Sequence, residues 1–533
     1  MSQPASRVRL PLGVQTFSEI RQENLYYVDK THFACQLVRQ GKHFFLSRPR
    51  RFGKSLFVST LKELFEGNRE LFQGLAADDQ WDWSVRRPVL ILDFGNVDAS
   101  LPGDLQDDVG EQLDGMECSH GVKRRYNTAR GRFRYLIRTL HERSGRRVVL
   151  LVDEYDKPII DALEQPDLAK QNRNFLRSVY SVIKTCDQHL RFSFLTGVSK
   201  FSKVSLFSSL NNLNDLTLDP RYSSLCGYTD HHLDTVFAPE LPGLDRDSIR
   251  RWYNGYSWGG DEKVYNPFDI LLLFDKRKFQ AWWFQTGTPK FLPDLLVRRN
   301  VSTLDLEGRT ADESLLSTFD IDEIGTEALL FQTGYLTVTD WSEGDDGETE
   351  YRLGYPNREV RLSLNRALLS SLVNSLSDRL THCRDVAKHI RAGDFEQLNQ
   401  TLHAFFASIP HDWYRNNRIE RYESYYATVF FALLSGFGLD TRPEEASSRG
   451  NLDLSVSAPE RIVLFEFKTV DGRSGSGRAL RQLKAKGYAD QHFGSGKPVH
   501  LVGVEFSRKT RNVALIEWEK VGTAEAGSAD ASD

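Results

Sequence analysis

Four stretches in the first 200 residues carry apolar side chains with little alternation: His43–Ser47, Val89–Asp93, Val148–Asp153 and Arg191–Thr196. Strands covered on both faces read this way, whereas a strand with one wet face alternates. Between them, Leu56–Gly67 and Asn172–Asp187 read as helices. Strands alternating with helices predict an α/β fold, a parallel sheet with helices on both faces. From Arg246 to Trp341 the pattern changes to short aromatic motifs, WYNGYSW, YNPFDILLLF and AWWFQTGTPKFL, read mainly as packing. Ser342–Glu350 (SEGDDGETE) predicts an exposed turn between two strands. Helical spacing returns with Leu362, Leu364, Leu368, Leu369 and Leu372, and a second α/β unit follows from His411 to about Lys520. The expected division is 1–245, an aromatic-rich lid or winged-helix-like region at 246–357, a helical connector at 358–410, the second α/β unit at 411–520, and a disordered tail at 521–533.

Composition narrows the class. The 533 residues are 40% apolar and 27% charged, the balance of a globular protein. Lys and Arg number 69 against 73 Asp and Glu, a net −4 that excludes a uniformly basic protein but not a basic surface on one domain. Cys35, Cys118, Cys186, Cys226 and Cys383 are scattered singly, which fits a reducing compartment better than a disulfide framework. The N-terminus has no apolar core of a signal peptide, and the apolar run Ile270–Phe274 is far shorter than a membrane span. A cytoplasmic protein without membrane contact is the expectation.

The first chemical signal is FFLSRPRRFGKSL. A strand, a loop of Arg48, Pro49, Arg50, Arg51, Phe52 and Gly53, and a helix opened by Lys54 and Ser55 follow the order of a phosphate-binding loop. Backbone N–H groups at the helix start attract an anion; Lys54 would reach the β- and γ-phosphates and Ser55 would hold Mg²⁺. Arg48 stands where the usual motif has glycine, and the three arginines either contact phosphate or are simply solvated. About 100 residues on, the apolar strand VVLLVDE ends in Asp153 and Glu154. In nucleotide hydrolases the first such acid serves Mg²⁺ and the second orients the attacking water. Thr196 ends another buried strand, where it either senses the γ-phosphate or merely terminates the strand. Asp29, Lys30 and Thr31 in YYVDKTHF fit a helix cap. Lys200, Lys203 and Arg50 are the candidates for an arginine-finger role.

The second signal lies near the C-terminus. NLDLSV (Asn451–Val456) and IVLFEFKT (Ile462–Thr469) read as consecutive strands, and RYESYYATVFFALL (Arg421–Leu434) as a helix carrying Glu423. Glu466 and Lys468 share one face of their strand while Phe465 and Phe467 take the other. Asp453 and Glu466, with Glu423 completing the shell, could hold one or two Mg²⁺ or Mn²⁺ ions; Lys468 would orient water or stabilise charge on phosphate. Gln482 and Lys486, one helical turn apart in ALRQLKAKGYAD, are candidate substrate contacts. Residues 461–520 hold twelve Lys or Arg against six acids, and Lys123–Arg147 holds ten against Glu142 alone, both suited to nucleic acid but equally to solvated surface.

RPRRFGKS, LLVDEYDKP, FLTGVSKFSKVSLFSSLNNLNDLTL, YNGYSW, VYNPFDIL and WWFQTGTPKFL together resemble the AAA-ATPase-like proteins, from about Leu10 to Lys520. In that family a P-loop ATPase module precedes a nuclease-like domain of the PD-(D/E)xK superfamily, whose pattern Asp453, Glu466 and Lys468 match, with Glu423 and Gln482 accessory. The resemblance makes RPRRFGKS, without the glycine, a family trait, and implies ATP as the nucleotide. The expectation is an ATP-binding ATPase coupled to a Mg²⁺-dependent nuclease acting on DNA or RNA. The competing expectation is a nucleotide-dependent scaffold that recognises a partner without cutting it.

Overall fold

All four apolar runs become strands in the computed structural model. It describes residues 8–521 apart from 201–211, 285–290, 300, 302, 304–305, 318–324, 345–346, 373–375, 409–422 and 448–449. The expected tail, Lys203, and much of the FLTGVSKFSKVSLFSS and QTGTPK segments therefore lie outside the described residues. The chain forms two units, residues up to 288 with 308–359, and 289–307 with 360 onward. The aromatic stretch 246–288 thus belongs to the same unit as the first sheet.

The first unit centres on β1 (His43–Ser47), β2 (Val89–Asp93), β3 (Val148–Asp153), β4 (Leu190–Gly197) and the short β5 (Asn214–Asp215), all parallel in the order β2-β3-β4-β1-β5. Val148 to Val152 are wholly buried, which is why the run shows no alternation. The register pairs Ser47 with Gly197 and Asp93 with Asp153, so the C-terminal strand ends share one edge. Ligands of open parallel sheets bind at that edge. The helix Lys54–Glu66 buries Phe57, Leu61 and Leu64 and stops at Gly67, whose φ of +79° suits glycine. The helix expected from Asn172 begins earlier, at Pro166, because proline is favoured in a first helical turn.

The aromatic segment supplies the helices Arg246–Tyr253 and Pro267–Lys276, whose Ile249, Tyr253, Ile270 and Phe274 share a core with Tyr26, Val28 and Phe237. Beyond it, β6 (Thr310–Asp312), β7 (Thr337–Glu343) and β8 (Thr349–Gly354) form a small antiparallel sheet, with SEGDDGETE spanning the β7–β8 connection.

In the second unit, the connector is helical: Arg358–Leu372, begun at the end of the first unit, then Leu376–Ala392 and Phe395–Ala407. A mixed five-stranded sheet follows, β9 (Asp440–Ser447), β10 (Gly450–Ser457), β11 (Ile462–Val470), β12 (Val499–Ser507) and β13 (Asn512–Val521). Its order is β13-β12-β11-β10-β9, with only β11 and β12 parallel. The helices Glu423–Gly436 and Arg478–Lys486 pack on β11, the first through Phe430 against Phe465 and Phe467, the second through Leu483 beside Leu464. Among the described residues no helix is long and apolar enough to cross a membrane.

Candidate functional sites

The loop after β1 turns into the helix at Gly53, whose φ is +93°; nothing lies within 4 Å of an added Cβ, so the backbone angle and not space asks for glycine. The helix start has no side-chain cap, which leaves its N–H groups for an anion. Lys54 Nζ, buried, donates to the carbonyls of Arg48 and Pro49 at 3.1 and 3.2 Å and pairs with Glu154 Oε1 at 3.1 Å. The ammonium therefore fills the bend of the loop.

The Ser55 hydroxyl lies beside the carboxylate of Asp153, which ends β3, and eases its charge. Burial first, and then the charge of Glu154, push Asp153 up to about 6, with Asp93 adding to the repulsion. A hydroxyl beside crowded carboxylates is a donor set that fits a divalent cation, which would relieve that repulsion. Glu154 takes φ +50°, a left-handed angle costing about 1–3 kcal/mol in a non-glycine residue, and its carboxylate meets Lys54. Thr196 is wholly buried, and its Oγ1 has no hydrogen-bond partner among the described residues.

Asp156, not singled out from sequence, fastens the segment after Thr196. Its carboxylate accepts from the N–H groups of Val198 and Ser199 and from Ser199 Oγ, and burial raises it to about 6. Gly197 allows this approach, since a Cβ there would lie 2.2 Å from Asp156 Oδ1.

Every residue of Arg48–Phe52 has a partner from the downstream aromatic region. The Arg48 guanidinium is wholly buried, stacks 4.1 Å over Trp258 and donates to the carbonyls of Ser47, Thr217 and Tyr222. It is engaged within the protein, which leaves Arg50 and Arg51 as the loop's candidate arginines for phosphate. Pro49 lies against Gly334, where a Cβ would come within 2.8 Å. The Trp283 indole N–H donates to Arg50 O at 3.0 Å. Arg51, at φ +70°, stacks 4.8 Å from Phe268. Phe52 meets Tyr256 and Trp258 edge to face. Trp283 is in turn held through its backbone N–H by Asp269 and Glu359, each at 2.8 Å. Of the arginine-finger candidates, Lys200 is ion-paired with Asp215, and Arg50 lies 3.9 Å from Asp161.

The loop opens on a cavity of about 450 Å³, within the usual range for small-molecule sites. Lys54, Ser55, Asp93, Asp153 and Glu154 line it, together with Lys30 and an apolar wall that includes Tyr228 and Leu271. Asp93 went unselected in the sequence although VLILD carries the same signal as VVLLVD. Lys30 donates to Ser224 O at 2.6 Å, and burial lowers its ammonium to about 8. Its neighbours act as the cap expected of them: Asp29 accepts from Thr31 N and Oγ1, and also from Ala76 N, tying two helix starts together.

In the second unit, Leu454 faces Phe465 across β10 and β11, which brings the adjoining Asp453 and Glu466 together. Phe467 N–H donates to Asp453 Oδ2 at 2.8 Å. Glu466, 1% exposed, accepts at Oε1 from Lys468 Nζ at 3.1 Å and from Gln482 Nε2. Lys468 also donates to Phe467 O at 2.9 Å. Tyr488, missed in the sequence, is buried beside this cluster; burial raises its hydroxyl, and the charges of Glu466 and Asp453 add to the rise. Lys486 is partly exposed and makes no hydrogen bond or ion pair among the described residues. Glu423 opens its helix, but its side chain lies outside the described residues. Among the described residues no three His, Cys, Asp or Glu side chains gather to hold a metal. Asp453, Glu466 and the Phe467 carbonyl nevertheless supply oxygens of the kind Mg²⁺ and Mn²⁺ take.

Glu505 accounts for how Gln482 is aimed. Buried in β12, it accepts from Ser476 N–H and from Ala479 N–H at 3.1 Å, capping the helix Arg478–Lys486. Although burial opposes it, those backbone donors hold its carboxyl below the ordinary range.

Residues 11–207 match a family model described as predicted AAA-ATPase, and residues 421–516 one described as PD-(D/E)XK nuclease superfamily. A protein described as "Uncharacterized protein in vnfD 5'region" from Azotobacter chroococcum mcd 1 is 53% identical over 518 residues, covering 97% of this chain and 100% of that one. With a P-loop-type parallel sheet in one unit and the Asp453–Glu466–Lys468 sheet in the other, the chain belongs to the AAA-ATPase-like proteins that carry a C-terminal PD-(D/E)xK nuclease-superfamily domain.

Proposed function

We propose that the first unit binds and hydrolyses ATP and that the second cleaves phosphodiester bonds in DNA or RNA. The observation that carries the reading is the meeting of Lys54, Ser55, Asp153 and Glu154 around one cavity. Triphosphate entering the loop competes for Lys54 and releases Glu154 from its ion pair. Glu154 then accepts a proton from the water whose oxygen attacks the γ-phosphorus, and the bridging oxygen leaves with ADP. Lys54 and the uncapped helix N–H groups stabilise the charge on the phosphates. Mg²⁺ at Ser55 and Asp153 would supply further charge neutralisation.

In the second unit, Asp453 and Glu466 are the metal ligands, for Mg²⁺ or Mn²⁺, and Gln482 keeps Glu466 in place. Lys468 orients the attacking water and balances charge on the scissile phosphate.

Lys54→Ala should abolish binding of a fluorescent ATP analogue, and Glu154→Gln should bind it while losing roughly 10²–10⁴-fold in turnover. Cleavage of labelled DNA and RNA should vanish with EDTA and with Glu466→Gln. Full ATP binding by Lys54→Ala overturns the first half of the reading, and cleavage indifferent to EDTA overturns the second. Running the cleavage assay with and without ATP reads whether one site governs the other.

A further inference from the structure

The strongest unused feature lies at the sheet edge opposite the cavity. β2, β3 and β4 are adjacent and parallel, with Val89 beside Val149 and Val148 beside Leu190, so their starts lie side by side. The chain enters all three on arginine: Arg86-Arg87-Pro88 before β2, Arg146-Arg147 before β3, and Arg191 as the second residue of β4. Arg86, Arg146 and Arg147 are exposed, and Arg87 and Arg191 half-buried.

Among the described residues none of the five makes an ion pair, and their side chains have two hydrogen bonds there, Arg87 to Arg147 O at 3.5 Å and Arg191 to Val38 O at 3.0 Å. Lys42, before β1, is by contrast matched by an acid, pairing with Asp187 at 2.8 Å. The charge of Asp82 acts on Arg87, but that carboxylate is turned to Ser84 N and Oγ. Burial and then the neighbouring arginines lower Arg87 and Arg191, so the guanidiniums are close enough to repel one another.

We propose that this arginine edge is a landing surface for the phosphate backbone of nucleic acid, engaging it without regard to sequence. Three strands span about 10 Å at about 4.8 Å each. A duplex presents one charge per about 1.7 Å, so about six phosphate charges pass along that edge. The guanidinium fork matches phosphate oxygens, and repulsion among the arginines is relieved when anions intervene. An acidic protein fits less well. Among the described residues the exposed large apolar side chains, Leu101, Tyr126, Leu315, Trp341 and Trp518, all lie outside these segments, so those segments present no exposed apolar anchor of the kind protein interfaces use. The inference rests on the nucleic-acid half of the proposed function and adds to it a contact surface on the ATPase unit.

The test uses the full chain carrying Glu466→Gln, so that bound nucleic acid is not cut, with and without Arg86→Ala, Arg146→Ala and Arg147→Ala together. Binding of labelled DNA duplex, single-stranded DNA and RNA is measured from 50 to 200 mM salt. Three lost contacts should reduce the slope of log affinity against log salt by about 2.7 on duplex DNA. The parent should then lose about 40-fold more affinity than the triple variant over that fourfold range. Unchanged binding of the ATP analogue verifies the fold. Equal affinity and slope in parent and variant overturn the inference alone, whereas a parent that binds no nucleic acid overturns the nuclease reading with it. Polyglutamate or anionic vesicles bound as tightly as DNA by the parent, and lost in the variant, overturn the assignment to nucleic acid.

Discussion

Glutamine in place of Glu359 should remove a pH dependence of stability that the wild-type first unit carries. Asp269 and Glu359 are 1% and 0% exposed, and one oxygen of each accepts from the same Trp283 N–H at 2.8 Å. The remaining oxygens, Asp269 Oδ2 and Glu359 Oε2, are buried with no donor among the described residues. Two adjacent carboxylates in that setting cannot both be charged, and one proton between the free oxygens satisfies both. Burial and then the Glu359 charge push Asp269 well above the carboxylate range, and burial pushes Glu359 from 4.5 up to about 7.

The sign follows from linkage. The folded pair holds its protons more tightly than the unfolded chain, so the stabilisation is whole below the unfolded carboxylate values and declines as pH rises to about 7, where Glu359 ionises, with Asp269 giving up the last proton higher still. At about 1.4 kcal/mol per pH unit, the loss is about 3 kcal/mol. In Glu359→Gln the amide oxygen still accepts from Trp283, while the amide N–H₂ donates to Asp269 without a titrating proton. Urea unfolding of both proteins at pH 5, 6, 7 and 8 reads the difference. Asp153 and Asp156, each raised to about 6, tilt both curves alike, so subtraction isolates the pair. Wild type should lose about 3 kcal/mol more than Glu359→Gln between pH 5 and 8. Parallel curves, or a variant less stable than wild type at pH 8, would refute the shared proton.

Two further outcomes test how each site is supported. Trp283→Phe deletes the indole donor to Arg50 O but keeps the ring and the backbone N–H, so nucleotide Kd should rise about five- to tenfold, the worth of one hydrogen bond. An unchanged Kd would detach the WWF motif from the site. Glu505→Ala strips the acceptor from Ser476 and Ala479 N–H groups and should destabilise the second unit by about 1–3 kcal/mol in thermal unfolding. Cleavage should also fall, because Gln482 rides on that helix; unaltered cleavage at a lowered Tm would make Glu505 a fold residue alone.

The sequence was most readable where structure is local. Of the four strands expected in the first sheet, three begin and end where the apolar runs do and the fourth is longer by one residue at each end. Strands buried on both faces leave that trace, whereas β9, DTRPEEAS, is charged, contains Pro443 and is defined only by its pairing with β10. The same division holds at the sites. Lys54 with Ser55, Asp153 with Glu154, and Glu466 with Lys468 are near neighbours in the chain, and each pair announces its chemistry. Trp283 reaches Arg50 across more than 200 residues, and Arg48 meets Trp258 at similar separation. No local pattern encodes such contacts, so the sequence left Arg48 either contacting phosphate or solvated and read the aromatic motifs mainly as packing.

The loop and the aromatic motifs are linked by one physical cause. A glycine-containing phosphate loop takes its shape from backbone freedom. This loop has proline at position 49 and a non-glycine residue, Arg51, at φ +70°, so it is stiff and held at a cost of about 1–3 kcal/mol. Its shape must then be imposed from outside, and the partners that impose it are identifiable: Trp258 on Arg48, Gly334 on Pro49, Trp283 on Arg50, Phe268 on Arg51, and Tyr256 with Trp258 on Phe52. One cation–π contact is worth about 0.5–2 kcal/mol. Two of them with one buried hydrogen bond offset the backbone strain. The missing glycine and the aromatic motifs 200 residues away are therefore one feature, a loop whose geometry is set by tertiary contact.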